Sequence, residues 1–410
     1  MARFTFSRTE LVKMANLDSW QKITRVLPGL PFGDGVDGAY SSATIPTMTY
    51  RSCSGSSGST TLTLGSAGFS NGDLILIHQT RGTGAGQWEI NQVVSGGGTA
   101  SLTLLKALQY TYTDSGASQA QAVKILRYTD VTVPSGATWA VPGWDGNTGG
   151  IFVLAAKGTV TVTGTIYNKG SDGATSGGGG AWVYPSDGGG FKGGGARDGI
   201  NSFGYQGESP TGAGTQSSSA NGGGGGAGGG NALYNAGGGG GHATAGTSGS
   251  GSGSTNGTGG GTYGTSDLTT IFFGSGGGGA TGTANSTVVS GANGGGIIIL
   301  IAKTFSISGS INVKGGTHNV TNYRETGGGG AGGSCLLVAK DATLGTNLVD
   351  ATSDPTIDNS QPEQSGDGGS GRIALHYSGT YSGSTNPTLY ANQDPSLVEA
   401  AGGAFLFNFL

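Results

Sequence analysis

Short apolar runs broken by glycine and small polar residues set the texture of this chain. Between residues 43 and 148 they are TTLTL (60–64), DLILIHQT (73–80), QWEINQVV (87–94), SLTLLKAL (101–108), AVKILRY (122–128) and DVTV (130–133). All are rich in β-branched and aromatic residues, and turn-forming clusters separate them at intervals of about ten residues. Such spacing favours a sandwich or a barrel, and we take this region as a β-sandwich-like module. RGTGAGQ (81–87) follows a strand, but the sequence after it alternates like a second strand. A dinucleotide-binding fingerprint needs a helix there, so the stretch is expected to be a hairpin loop.

From residue 149 a repeat sets in. GGIFVLAAKGTVTVTGTIYNKG (149–170) matches GGIIILIAKTFSISGSINVKG (295–315) after one gap. GGSCLLVAKDATLGTNLVDA (332–351) is a weaker copy, and GSGRIALHYSGTYSGSTNPTLYA (369–391) a degenerate fourth. Each unit predicts two strands: an apolar one buried on both faces, then one half-buried by its alternation. One such unit cannot bury its own apolar face, whereas stacked units can. Helical periodicity is confined to residues 7–27. There Ser7-Arg8-Thr9-Glu10 fits a capping box ahead of Leu11, Met14 and Ala15.

Composition sharpens the picture. The chain has 90 glycines in 410 residues, where roughly 7% is usual. Charged residues make up only 10% and the net charge is −4. With no basic run, nucleic acid is not an expected partner. Cys53 and Cys335 are too few and too far apart for a disulfide framework and are expected as packed thiols. The first residues lack the apolar core of a secretion signal, and no window suits a membrane span, so membrane insertion is not expected.

The glycines concentrate in tracts such as NGGGGGAGGG (221–230) and NAGGGGGHATAG (235–246), between the strand pairs. If 149–170 and 295–315 stack as neighbours, residues 171–294 leave as a long excursion held at its base. A tether is one reading of it, since loop closure grows only logarithmically with length. A glycine-punctuated β architecture is another. The third is an ordered bundle of extended threefold strands, packed so closely that only glycine fits. Aromatic clusters alternate with the bare stretches, which a tether does not require, so the expected fold is mainly β: a short N-terminal helix, the sandwich-like module, then repeats with polyglycine II-like segments. Four regions follow: 1–42 for attachment, 43–148 as the β module, 149–351 as the glycine-rich region with strand repeats, and 352–410 as a C-terminal association segment.

SGGGGA, DGGGFKGGGARDG, NGGGGGAGGGN, AGGGGGH and SGGGGATG, with aromatic segments between them, resemble the motifs of glycine-rich tail-fibre adhesins of tailed bacteriophages over roughly residues 169–334. The resemblance implies a layered polyglycine domain whose intervening loops bind a host receptor. The implied location is the virion tail, and the implied partners are other tail or baseplate proteins and a host surface glycan or outer-membrane protein. Such fibres are commonly trimeric homo-oligomers. A cellular surface or extracellular filament protein is the alternative, and a glycan depolymerase spike a weaker one.

The receptor-binding candidates are Trp182, Tyr184, Phe191, Arg197, Tyr205, Tyr234, His242 and Tyr263, because aromatic faces among small polar residues suit sugar rings and adaptable loops. Phe272 and Phe273, beside Ile271, are expected to pack instead. No enzyme, cofactor or metal is expected. None of His78, His242, His318 and His376 lies in a zinc or hydrolase motif. His78 is expected to be a satisfied core residue, and Asp34 and Asp37 in GDGVDG to be turn residues.

Overall fold

The computed structural model describes residues 32–175, 182–198, 203–229, 235–251, 255–282, 287–317, 319–320, 326–354, 357–358, 364–395 and 397. The helix expected over 7–27 lies outside them, and among the described residues every regular element is a strand. The chain is mainly β.

The first module is a closed antiparallel barrel rather than the expected sandwich. Its strands run in the order Tyr50–Ser54, Thr61–Leu64, Ser101–Leu104, Trp88–Ser95, Leu74–Arg81 and Gln119–Lys124. Gln119–Lys124 pairs with both Leu74–Arg81 and Tyr50–Ser54, so the sheet closes on itself and needs no second layer. Leu62, Phe69, Ile75, Ile77 and Val93 fill its interior. The RGTGAGQ stretch is a hairpin connection, since His78 pairs with Trp88 across it. Leu126–Tyr128 and Val131–Val133, which continue the same apolar texture, pair instead with the strand Ile151–Val162.

That strand belongs to a second architecture, a curled sheet in which every pairing is parallel. Ile151–Val162, Ile297–Ile307, Ser334–Asp350 and Arg372–Tyr377 lie side by side, with Ile151 opposite Ile297, Ile297 opposite Ser334 and Ser334 opposite Arg372. This register superposes the four sequence repeats. Short strands Thr138–Ala140, Thr165–Tyr167 and Ser310–Asn312 continue the rungs, and Ser310–Asn312 pairs with the end of Ser334–Asp350. The sheet therefore wraps around a core of stacked rungs.

The repeats are apolar on both faces because both are covered. Phe152, Leu154, Ile298, Leu300, Leu337 and Leu375 point inside the curl. Ile151, Val153, Ile297, Ile299, Leu336 and Val338 point outward onto Leu74, Leu76, Trp88 and Ile90 of the barrel. Strand Leu74–Arg81 is buried along its whole length for the same reason: alternate residues serve the barrel interior and the solenoid contact.

Between rungs the chain runs into a bundle of glycine strands. The excursions span residues 168–296, 313–333 and 351–371, and each returns to start the next rung. The glycines just before Ile297, Ser334 and Arg372 are thus the ends of bundle strands, whereas Gly149 and Gly150, which open the first repeat with φ +93° and +72°, follow no excursion. At the roots of the excursions, Asp354 holds Lys169 at 2.7 Å and Lys314 at 2.5 Å.

Residues 273–280 (FGSGGGGA) show how the bundle is joined. Phe191, Gly194 and Arg197 donate their N–H groups to the carbonyls of Gly274, Gly277 and Ala280, a step of three residues on each side. Gly225 and Gly228 donate to Gly276 and Gly279, and Ala331 and Gly328 to Ser275 and Gly278. In return Gly274 and Gly277 donate to Gly295 and Ala292, Gly276 and Gly279 to Glu208 and Tyr205, and Gly278 to Gly238. One strand therefore has six hydrogen-bonded neighbours, three giving and three receiving. A threefold extended strand points its peptide groups outward in this way; a β-strand has only two hydrogen-bonding edges.

Crowding explains the composition. A Cβ on Gly277 would overlap the Gly328 carbonyl, and one on Gly225 the Gly238 carbonyl. Turn glycines serve a different need: Gly136 has φ +79° and nothing within 4 Å of a notional Cβ.

Candidate functional site

The glycine strands position a small aromatic group at the protein surface. Val183 and Ala196 exchange backbone hydrogen bonds of 2.8 and 2.9 Å, forming an isolated bridge. Trp182 and Tyr184 flank it and, two residues apart in extended chain, share a face. Tyr205 donates its N–H to the Gly195 carbonyl at 2.9 Å, bringing its ring to the same place. Gly195 makes room, because a Cβ there would strike the Tyr184 ring.

The rings of Trp182 and Tyr205 meet edge to face at 4.8 Å, and Tyr184 lies 6.3 Å from Tyr205. The Arg197 guanidinium lies over the Trp182 ring, 5.9 Å from its centre, and Arg197 makes no ion pair among the described residues. Its Nε is buried without a hydrogen-bond partner. Tyr184 is 51% exposed, the most open aromatic side chain among the described residues. Burial and the neighbouring Tyr205 raise its hydroxyl pKa, so it stays protonated at neutral pH. Four of the eight candidates thus form one cluster.

The others do not join it. Phe191 is fully buried, with its ring 5.3 Å from Phe273 and 6.5 Å from Trp144. It is a wedge between bundle and barrel, and its place among the loop residues is corrected: the strand carrying it turns its only aromatic side chain inward onto an apolar core. His242 is corrected on the same ground, and Tyr263, half-buried, packs against it away from the cluster. They stack at 4.8 Å, His242 is fully buried, and its Nδ1 pairs with the Gly332 carbonyl at 2.8 Å. Burial lowers the His242 pKa to about 3, so the ring is neutral. The Tyr263 hydroxyl donates to the Phe273 carbonyl at 2.7 Å and also meets Ser275 Oγ. This pair plugs the bundle, with Phe272 against Tyr263 at 5.2 Å. Phe272 and Phe273 pack as expected. Tyr234 lies outside the described residues.

The remaining polar candidates are structural. His78 is buried between Thr80 Oγ1 and the Ile271 carbonyl, each at 2.9 Å. Asp34 pairs with the Arg127 side chain at 2.8 Å, and Asp37 accepts the Arg127 N–H at 2.8 Å. Both cysteines are buried free thiols, and burial pushes the Cys335 thiol up to about 12, which leaves it unreactive. Among the described residues no group of three or more His, Cys, Asp or Glu is placed to hold a metal ion. Nor is any helix long and apolar enough to cross a membrane.

One junction escaped the sequence reading. Glu208, on a bundle strand, pairs with Arg81 of the barrel and accepts hydrogen bonds from Trp144 Nε1 at 3.0 Å and the Lys192 N–H at 2.9 Å. Burial raises its pKa against the opposing pull of Arg81. The one available signal was a lone carboxylate in a region almost free of charge; its partner stands 127 positions away.

Comparison of the chain with protein families, with curated proteins and with solved structures gave no match.

Proposed function

We propose that this protein is a structural and receptor-binding component of a phage tail fibre or tail tip, and that its place is the virion. The bundle, read as polyglycine II-like, is the rigid platform, and side chains carried between its strands meet the host surface. The observation that carries this reading is the gathering of Trp182, Tyr184, Tyr205 and Arg197 on that platform, with Tyr184 open to solvent. Aromatic residues held rigidly bind at low entropic cost. Recognition is non-covalent, and several copies on one particle multiply weak contacts.

A second reading, a cellular surface or filament protein, draws on the far end of the solenoid. Strands Tyr381–Asn386 and Tyr390–Gln393 each pair on one side only among the described residues, and Tyr381 and Tyr390 are exposed. An open parallel edge is a template for a further strand. Gold-labelled antibody against the purified protein separates the two readings. Label at the tail tip of virions, with adsorption blocked by the antibody, supports the first. Label along cell-surface filaments overturns it. A tail protein whose Trp182→Ala/Tyr184→Ala variant assembles and adsorbs normally loses this site.

A further inference from the structure

We propose that the Trp182–Tyr184–Tyr205–Arg197 cluster binds a pyranose bearing a carboxylate, an acidic sugar unit of a surface polysaccharide. The inference rests on the reading of this surface as a recognition site and adds the ligand's chemistry.

Three features support it. First, Tyr184 offers a half-exposed ring fixed from below by glycine: its face rests over Gly195, and Tyr205 stands 6.3 Å away. A flat ring of this kind presents an apolar face to the C–H side of a sugar and a hydroxyl to its rim. Second, Arg197 is the cation of the cluster and has no carboxylate partner among the described residues. In a chain where charged residues are 10%, Arg81, Lys124, Arg127, Lys169, Lys192 and Lys314 each have one, while the half-buried Arg51 and Arg372 give side-chain N–H groups to backbone carbonyls. A guanidinium forks onto a carboxylate through two parallel hydrogen bonds. Third, the Arg197 side chain is half-buried, with Nε out of contact with solvent and unpaired. Such a donor lacks compensation until an acceptor arrives. The Arg197 backbone is meanwhile tied to Ala280, so the cation is delivered from a fixed point.

The ring and the cation call for different things in the ligand, and a uronic-acid type unit supplies both. A neutral sugar leaves Arg197 unpaired. A sulfated polymer of neutral sugars also offers the fork an oxyanion, but carries it on a flexible ester oxygen and not directly on the ring stacked against Tyr184.

The test uses the full chain on a biosensor against polygalacturonate, dextran and dextran sulfate. Binding to polygalacturonate is expected to exceed that to dextran by at least about tenfold, the scale of one charge-assisted contact. Tyr184→Ala and Arg197→Gln should each reduce it by about tenfold or more, with Arg197→Lys recovering part of the loss because it restores charge without the fork. Circular dichroism identical to that of the parent chain shows that the variants are folded. Equal binding to dextran sulfate and polygalacturonate, or wild-type binding by Arg197→Gln, overturns the inference. Virion adsorption by the same variants separates it from the broader reading. If adsorption falls while none of the three polymers binds, the acidic-sugar assignment falls and the recognition surface stands. If polygalacturonate binds as described and adsorption is unchanged, the sugar site stands and its role in attachment falls.

Discussion

The solenoid and the glycine bundle are built from alternating stretches of one chain, yet they solve burial in opposite ways. In the solenoid each peptide group bonds sideways to the next rung, and side chains such as Phe152, Leu300 and Leu337 fill the space above and below. Strand spacing is about 4.8 Å along the hydrogen bonds and about 10 Å across packed side chains. The bundle removes the second spacing. With no Cβ in the way, strands close in from every side and hydrogen bonds run in six directions around residues 273–280. Solenoid stability comes mainly from apolar surface, at about 25 cal/mol per Å². The bundle relies on hydrogen bonds worth about 1 kcal/mol net each and on weak Cα–H contacts. It also orders glycine, the residue that loses most freedom. A bundle of this kind needs roots, and it has them in the solenoid rungs, in the Phe191–Phe273–Trp144 wedge and in Glu208–Arg81.

The largest expected effect breaks the bundle and spares the solenoid. Gly277→Val places a branched side chain among carbonyls that are themselves bonded, beyond the ~1–3 kcal/mol of ordinary overpacking. Trypsin should then cut rapidly at Lys192 and Arg197, where slow cleavage is expected in the parent chain; equal protection in both would show that the bundle tolerates side chains. Glu208→Gln leaves Arg81 buried and uncompensated, with an expected loss of about 3–5 kcal/mol in thermal or denaturant unfolding. Leu300→Ala, inside the curl, should cost about 2–5 kcal/mol while leaving the bundle hydrogen bonds in place. Amide exchange would show whether the bundle opens with the solenoid or independently of it.

Acid sharpens the comparison further. His242 is neutral in the fold, with a pKa of about 3 against about 6.5 when unfolded. Its contribution is complete above pH about 6.5 and is lost as pH falls toward about 3, because only the unfolded chain takes up the proton there. His242→Gln should flatten that part of the stability–pH curve relative to the parent chain. The smallest effect is expected at the roots. Lys169 and Lys314 hold the Asp354 carboxyl below its usual range although burial opposes them. Asp354→Asn should cost no more than about 1 kcal/mol, since the cluster is partly open to solvent.

Parts of this were legible in advance. The apolar runs of the β module mark strands, and the four GG-apolar units mark rungs that align residue for residue, because alternation and burial are written locally. Barrel closure was not legible: sandwich and barrel share a strand pattern and differ only in whether Gln119–Lys124 meets Tyr50–Ser54. The cluster of Trp182, Tyr184, Arg197 and Tyr205 was named from residue type alone. The same reasoning also swept in Phe191 and His242, whose aromatic character serves packing equally well.

The sequence by itself determined where strands form, which repeat and which stretches carry no side chain. Only the tertiary structure decided which glycine strand lies against which, and so which aromatics reach solvent. A glycine carries no side chain with which to select a neighbour. Its partners are chosen by peptide groups common to every residue, and their register is set by the rungs and wedges that hold the ends.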